Sequence, residues 1–574
     1  MGDPRFLAIV AMAWSCVLPL AAVELLPRFT AARTGDLLTW ELRGVDPAWL
    51  TFDVGATPSL VIDGPVGGGR RRACYLDQDH QRNPDGLDPE LVAIGERVLR
   101  VRHVARVAGS HRWRLCDPAG TTLLAGEFTV VDGAGPPGPI GQSPHNPRLL
   151  AFSDGTPFIP IGPNIAWTKG PDRLKLFDRF FTALAAAGGT HTRMWLASWC
   201  GQFESAEPDR YRLDQAWLAD GALALARARG LKVTVVIDNH HDFHEGLMVP
   251  YGATIADRLR VFMAPTPGAQ YLRKLRYLLA RWGADDTVMA WELFNELDLA
   301  CPVRETALPW VAGATAAFAR LDLDHRLCTV SWAGNDWDRC AAAGSQGLAQ
   351  VHRYVLEWAH SDEATKATTR DGVGLLIGSA RRADEIGRPF LFGEVGYQGT
   401  EAVNQGNDLD SDGLLLRQQA WAGFLVGSCG SGMGWWWDVY IDSLGLWSQY
   451  RPLATAVGLI DWRDRELSPL PAAERGTLRV LGWQGPGQAL LWPQATSDTW
   501  YASLMEGRGR PQFPRPVKIT LIGMRANARF AVQRLDMVDN ALVPLADAHS
   551  DGNGRLPLEV PGDCGDYALI LKAR

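Results

Sequence analysis

The sequence predicts an α/β protein, a (β/α)8 TIM barrel flanked by N-terminal and C-terminal β-sandwich domains, and three observations carry that prediction. The middle of the 574-residue chain alternates strand-like and helix-like segments, both ends show only short alternating strands, and a Pro/Gly stretch precedes the middle part. A chain of this length exceeds one hydrophobic core, and length alone suggests about two to four domains. With 47% hydrophobic and 21% charged residues it is an ordinary globular composition. A net charge of −7 without any Lys/Arg run gives no support to a nucleic-acid partner or an anionic membrane surface.

Taken in order, the chain opens with Arg5, an apolar run over 6–20 and the small residues Ala21 and Ala22. That layout predicts a signal peptide over 1–22 and a secreted protein, extracellular or periplasmic. The run is too short for a membrane span, and Trp14 before Ser15 spoils the small-residue context that a lipid anchor at Cys16 requires. No later stretch is long and apolar enough to cross a bilayer. Eight cysteines remain after such cleavage, none in a C-x-x-C pair, which argues against a structural zinc site. In an exported chain some of them are disulfide candidates, Cys328 and Cys340 being close in sequence, but the pairing stays open.

Residues 23–131 read as a β-sandwich. The stretch from Val98 to Val104 alternates apolar and polar side chains, and Arg112-Trp-Arg-Leu leads into the turn Asp117-Pro-Ala-Gly. Residues 132–147 form a linker that begins Asp132-Gly-Ala-Gly-Pro-Pro-Gly-Pro, a composition that neither forms a helix nor packs. The barrel is expected over 148–462. Its strands are predicted at 158–162, 191–195, 233–238, 288–293, 327–332, 348–354, 390–392 and 433–437, with helices at 173–187 and 215–229 among the connections. The strand pattern returns over 463–574 as a second β domain, with strands at 477–481, 489–492, 500–505, 517–521, 530–535 and 567–571.

Catalytic groups of such a barrel sit where strands end and βα loops begin. Strand four ends in Asn295-Glu296, strand seven in Glu394, strand six carries His352 and Tyr354, and strand two carries Arg193. Cleaving a glycosidic bond needs an acid for the leaving oxygen and a carboxylate facing the anomeric carbon, about 5 Å apart in retaining enzymes. Strands four and seven face each other across the mouth, so Glu296 and Glu394 can meet that spacing. A lone rim glutamate is more often a salt-bridge partner; the pairing of these two carries the reading. The 23 tryptophans favour a carbohydrate partner, because their apolar faces stack on sugar rings, although many are expected in the core.

Trp291-Glu-Leu-Phe-Asn-Glu and Phe392-Gly-Glu-Val-Gly resemble the signatures of the clan A glycoside hydrolases, which include the cellulases and β-mannanases of family five. The resemblance covers the central segment, and the segment before it resembles the immunoglobulin-like domain often fused ahead of such barrels. It implies Glu296 as proton donor, Glu394 as nucleophile and Asn295 as holder of the sugar 2-hydroxyl. It also implies Arg193 as a cation beside the nucleophile, and His352 and Tyr354 as partners of the two glutamates. An arginine there is expected to keep Glu394 ionised while burial raises Glu296. His240 and His241 follow strand three, where the clan often keeps a substrate-contacting histidine; a packed core histidine is the alternative.

Gly434-Trp-Trp-Trp-Asp closes the eighth strand, where the clan places a sugar-stacking tryptophan. Strand alternation puts Trp435 and Trp437 on one side, and Trp437 is the expected platform. Trp195, Trp199 and Trp332 are either further platforms or core. One departure is Leu297-Asp298 where many clan members have proline after the acid, which weakens assignment to a particular family. Asp238, His240, His241 and Asp242 lack a metal-binding pattern, so neither a metal nor a cofactor is expected. The reading is a retaining glycoside hydrolase acting on a polysaccharide or oligosaccharide. The competing reading is a non-catalytic carbohydrate-binding protein on a barrel scaffold, against which the co-occurrence of Glu296, Glu394, Asn295, Arg193 and His352 argues.

Overall fold

The computed structural model describes residues 23–83, 91–133, 137–245, 249–252, 254–334, 336–342, 347–383, 386–400, 404–471, 473–475, 477–509, 516–560 and 566–574. The expected signal peptide over 1–22 and Cys564 lie outside the described residues.

At the centre is a closed barrel of parallel strands. Strand two (His191–Trp195), strand three (Lys232–Val236) and strand four (Val288–Glu292) pair in order, and strand four continues to Leu327–Thr329. Strand five resumes at Ser331–Trp332 and pairs with strand six (Ala349–Val355), which pairs with strand seven (Phe390–Tyr397). Strands one and eight close the circle through individual backbone hydrogen bonds. Residues 160–166 accept from His191 and Trp195 on one side and from Ser431 on the other, while Asn164 donates to Gly434. Gly434 in turn bridges to Val395 of strand seven. Every residue of strands two, three and four is buried, as a parallel sheet wrapped by helices requires. The predicted helices appear at Arg173–Ala186 and Leu213–Ala228.

The barrel floor is plugged by a small antiparallel sheet of Ile140–Gln142, Leu150–Phe152 and Pro157–Phe158. Ile140, Leu150 and Phe158 pack there with Met289, Leu327, Leu348, Leu391 and Met433. Part of the segment expected to be linker therefore packs as a strand, because Ile140 supplies an apolar side chain that the Pro/Gly run before it lacks.

The N-terminal part is a two-sheet sandwich. One sheet orders Glu24–Leu26, Leu37–Arg43, Leu91–Val104 and Tyr75–Arg82; the other orders Ala31–Arg33, Thr122–Val131, Gly109–Cys116, Ser59–Asp63 and Arg70–Ala73. It is fastened to the barrel by buried ion pairs. Arg281 bonds Asp77 at 2.8 Å and Asp220 at 2.6 Å, and Arg72 bonds Asp324 at 2.7 Å.

In the C-terminal part, one sheet runs from Ser468–Pro469 through Leu478–Gly485, Gln488–Ala495, Tyr567–Ala573 and Arg529–Asp536 to Leu542–Pro544. One face meets the pair Val517–Leu521 and Leu556–Val560, with Leu491, Ile519, Phe530, Leu558 and Leu569 between them. The other face lies on the barrel, where Trp483 packs against Phe424 and Trp462.

Two expectations are corrected. Residues 500–505 are not a strand: Trp500–Leu504 is a short helix, capped by Thr499, whose hydroxyl accepts from the Ala502 amide at 3.1 Å. Fully buried Trp500 anchors it against Tyr397 and Trp358. The disulfide candidates Cys74, Cys116, Cys200, Cys301, Cys328, Cys340 and Cys429 are all buried free thiols.

Candidate active site

A cleft of about 840 Å³ opens at the C-terminal ends of the strands, and Glu296, Glu394, Tyr354, His240 and His241 line it. Strand geometry delivers them. His352 pairs in register with Glu394 across strands six and seven, with a bulge just before. Asn239 bridges to Asn295 across strands three and four. Glu296 follows with φ of +50°, a left-handed conformation that costs a non-glycine residue energy and turns the chain sharply at the rim. Its amide donates to the Ser331 hydroxyl at 2.9 Å.

Arg193 organises the floor of the cleft. It is fully buried, and all five of its N–H groups are used. Nε and Nη2 hold Glu292 in a bidentate pair, each at 2.7 Å. Nη1 donates to Glu394 Oε1 at 2.6 Å and to Asn164 Oδ1 at 3.1 Å, and Nη2 also reaches Asn295 Oδ1. With its oxygen committed to a cation, Asn295 must turn its amide nitrogen the other way, where it donates to His240 Nδ1 at 3.3 Å.

The two glutamates meet around His352. An oxygen of Glu296, an oxygen of Glu394 and a ring nitrogen of His352 all lie within 4.8 Å of one another. His352 Nδ1 is 2.7 Å from Glu296 Oε1 and 3.4 Å from Glu394 Oε2. Tyr354 donates its hydroxyl to Glu394 Oε2 at 2.6 Å, so each Glu394 oxygen accepts one strong hydrogen bond. His240 Nδ1 stands 3.4 Å from Glu296 Oε2.

Burial pushes the Glu296 carboxyl up to about 8, helped by the charge of Asp298 and opposed by Arg193 and His241. Burial also raises Glu394, against the pull of His352, Arg193 and the Tyr354 hydroxyl. Arg193 thus acts in the expected direction but does not outweigh desolvation. Glu292 is the reverse case: burial raises it, and the bidentate arginine brings it below the ordinary value. Desolvation lowers His240 to about 3, which keeps that imidazole neutral, and lowers His352 against the pull of Glu394.

The tryptophans divide differently from the expectation. Trp437 is not a platform: it is 1% exposed, and its Nε1 donates to the Trp167 carbonyl at 3.1 Å. Strand alternation fails because Trp436 adopts φ of +64° and the chain coils into a wide helical turn over Trp437–Asp442. The cleft is walled instead by Trp167, Trp195, Trp199, Trp435 and Trp436. Trp332 is buried beneath Arg339, away from the cleft. Of the four residues weighed and set aside as a metal cluster, Asp238 pairs with Lys274, and Asp242 bonds Ser198 and Asn239.

Sequence reasoning missed Glu292 and Asn164, which hold Arg193, Gln350, which donates to Glu292, and Ser331, which accepts from the Glu296 amide and donates to Asn295. For Glu292 a signal existed, since a carboxylate inside an otherwise buried strand demands a cation and Arg193 has the same kind of position.

No protein-family model matches the chain. A mannan endo-1,4-beta-mannosidase F of Aspergillus fumigatus is 22% identical over 196 residues, spanning 31% of this chain and 43% of that protein. The chain thus spans less than half the length of the curated relatives it matches. Among solved structures, a Bacteroides vulgatus protein provisionally assigned as a glycoside hydrolase aligns over 95% of this chain and 100% of its own, with TM-score 0.62 and 14% identity. A glycoside hydrolase family 5 structure from the same organism aligns over 76% of this chain and 94% of its own, with TM-score 0.53 and 14% identity. The chain shares their fold, a (β/α)8 barrel with added β-sheets.

Proposed function

We propose that this protein is a retaining glycoside hydrolase that cleaves β-glycosidic bonds of a polysaccharide or oligosaccharide by double displacement. The observation that carries the reading is the approach of Glu296 and Glu394, an oxygen of each within 4.8 Å. That distance suits a nucleophile and an acid acting on one anomeric carbon and leaves no room for a water between carboxylate and sugar. Glu394 attacks the anomeric carbon while Glu296, held protonated by burial, gives its proton to the leaving oxygen. The ionised Glu296 then takes a proton from the water that releases the glycosyl group. Arg193 and Tyr354 fix both oxygens of the nucleophile, so that little reorganisation is needed at the moment of attack. The Asn295 amide nitrogen, set by the hold of Arg193 on its oxygen, fixes the His240 ring beside Glu296.

The Aspergillus relatives bear the name mannan endo-1,4-beta-mannosidase, which makes β-1,4-mannan the first substrate to try. Residues 1–22 act in this reading as an export signal. No helix among the described residues is long and apolar enough to cross a membrane. The N-terminal sandwich is assigned as immunoglobulin-like on its strand order, in which the first, third, seventh and sixth strands share one sheet.

The test is hydrolysis of mannan, xylan, β-glucan and galactan by wild type and by Glu394→Gln. Turnover of one of these by wild type, lost in the variant, supports the reading. Binding without turnover in wild type would leave a non-catalytic carbohydrate-binding protein.

A further inference from the structure

Outside the reacting pair, the loops after strands two and three meet at a carboxylate that the mechanism does not use. Asp242 is 2% exposed. Its Oδ2 accepts from the Ser198 amide at 3.2 Å and from Asn239 Nδ2 at 2.7 Å, and its Oδ1 accepts from the Ser198 hydroxyl. Its own amide donates back to Asn239 Oδ1 at 3.0 Å. Both oxygens are therefore spent, and the donors come from two different loops.

The neighbours of these two residues are what reach the cleft. Trp199 follows Ser198 and His241 precedes Asp242; both line the cleft, and their rings stand edge to face with centroids 6.0 Å apart. Trp199 sits apart from the chemistry on both sides. Toward Glu394, Trp195 and Arg193 intervene, with Trp195 and Trp199 centroids 6.4 Å apart. Toward Glu296, His241 and His240 intervene, their rings 4.1 Å apart.

We infer that Asp242 is a positioning residue that assembles Trp199 and His241 into a sugar-binding subsite beside the reacting centre. The inference rests on the glycoside hydrolase reading and narrows its substrate class to a chain of sugars long enough to reach past the bond being cleaved. The ligand is a pyranose unit, its apolar C–H face against the Trp199 ring and a hydroxyl toward the half-exposed His241 and its partner Glu245. A simple aryl monoglycoside does not reach this place.

The chemistry of the latch supplies its own controls. Asp242→Ala removes both acceptors and releases Trp199 from His241. Asp242→Asn keeps an acceptor for Ser198 N–H and Asn239, and the Ser198 hydroxyl can turn to accept from the new amide. The experiment compares KM and kcat on β-1,4-mannohexaose and on 4-nitrophenyl β-mannoside for wild type, Asp242→Ala, Asp242→Asn, Trp199→Ala and the double variant Asp242→Ala/Trp199→Ala. Asp242→Ala and Trp199→Ala should each raise KM on the hexasaccharide about tenfold, with a several-fold smaller loss on the aryl glycoside. The double variant should do no worse than Trp199→Ala, and Asp242→Asn should recover most of the loss. Additive losses, or equal losses on both substrates, or an unmoved KM would overturn the assignment. Should Asp242→Ala not fold, Ser198→Ala removes one latch donor and is read by the same criteria, with a KM rise of about threefold expected. Should wild type turn over neither substrate, the comparison is repeated with the matching oligosaccharide and aryl glycoside of whichever of xylan, β-glucan or galactan it hydrolyses; if it hydrolyses none, the catalytic reading fails by itself. The subsite is then judged by calorimetric titration with mannohexaose, where Trp199→Ala must weaken Kd about tenfold to sustain it.

Discussion

An oxygen of Glu296 and an oxygen of Glu394 lie within 4.8 Å of each other, although the two residues stand 98 positions apart along the chain. Carboxyl groups this close favour two successive displacements at one carbon, whereas single displacement by water requires about 6.5–9.5 Å. Proton NMR of the first product released from a β-glycoside should therefore show the β-anomer ahead of mutarotation. An initial α-anomer would mean single displacement and a wider working separation of the pair.

Truncating Glu394 leaves a cavity beside Arg193 and Tyr354, both of which face it with hydrogen-bond donors. Glu394→Ala should abolish turnover of natural substrate, and added azide should restore reaction on an activated aryl glycoside, giving the α-glycosyl azide. A small anion fits both the vacated space and its positive surroundings. Full activity of the variant without azide would remove Glu394 from the role.

The acid has a pH signature. Glu296 must carry a proton, and burial sets its carboxyl near 8, so kcat/KM should fall as pH rises through about 8. Glu394 must be ionised, and because burial raises it too, activity should fall on the acid side at a pH above the ordinary glutamate value of about 4.3. In Glu296→Ala the basic limb should vanish for substrates with good leaving groups, which need little protonation, while natural glycosides become nearly inert. A basic limb that survives the substitution would assign it to another group.

Arg281, on the barrel helix Ala269–Trp282, joins the barrel to the N-terminal sandwich through Asp77 and is itself held by Asp220 of the barrel, with the side chains of Arg281 and Asp77 wholly buried. Arg281→Ala takes one of two cations from each carboxylate, since Arg100 stays on Asp77 and Arg102 on Asp220, and should destabilise the protein by about 1–3 kcal/mol in urea unfolding. A loss below about 0.5 kcal/mol would show that Arg100 and Arg102 satisfy these carboxylates by themselves.

The sequence by itself determined the candidate site residues and their order along the barrel. Glu296, Glu394, Arg193, His352 and Tyr354 each stand at or near the end of a buried strand, and a parallel strand announces itself by a short apolar run. Once strand order is known, opposition across the mouth follows. The tertiary structure alone decided which tryptophans face the cleft. Trp435, Trp436 and Trp437 are consecutive and chemically identical, and only the left-handed turn at Trp436 sends Trp437 into the core and leaves Trp435 on the wall. It also decided that residues 500–505 coil around buried Trp500, where their local pattern had suggested a strand. The same holds for the charge of the site. The family resemblance of the sequence implies an arginine near Glu394, but whether it outweighs burial depends on how many carboxylates share it. Arg193 is divided between Glu292 and Glu394, and a cation so divided cannot fully offset the desolvation of the second.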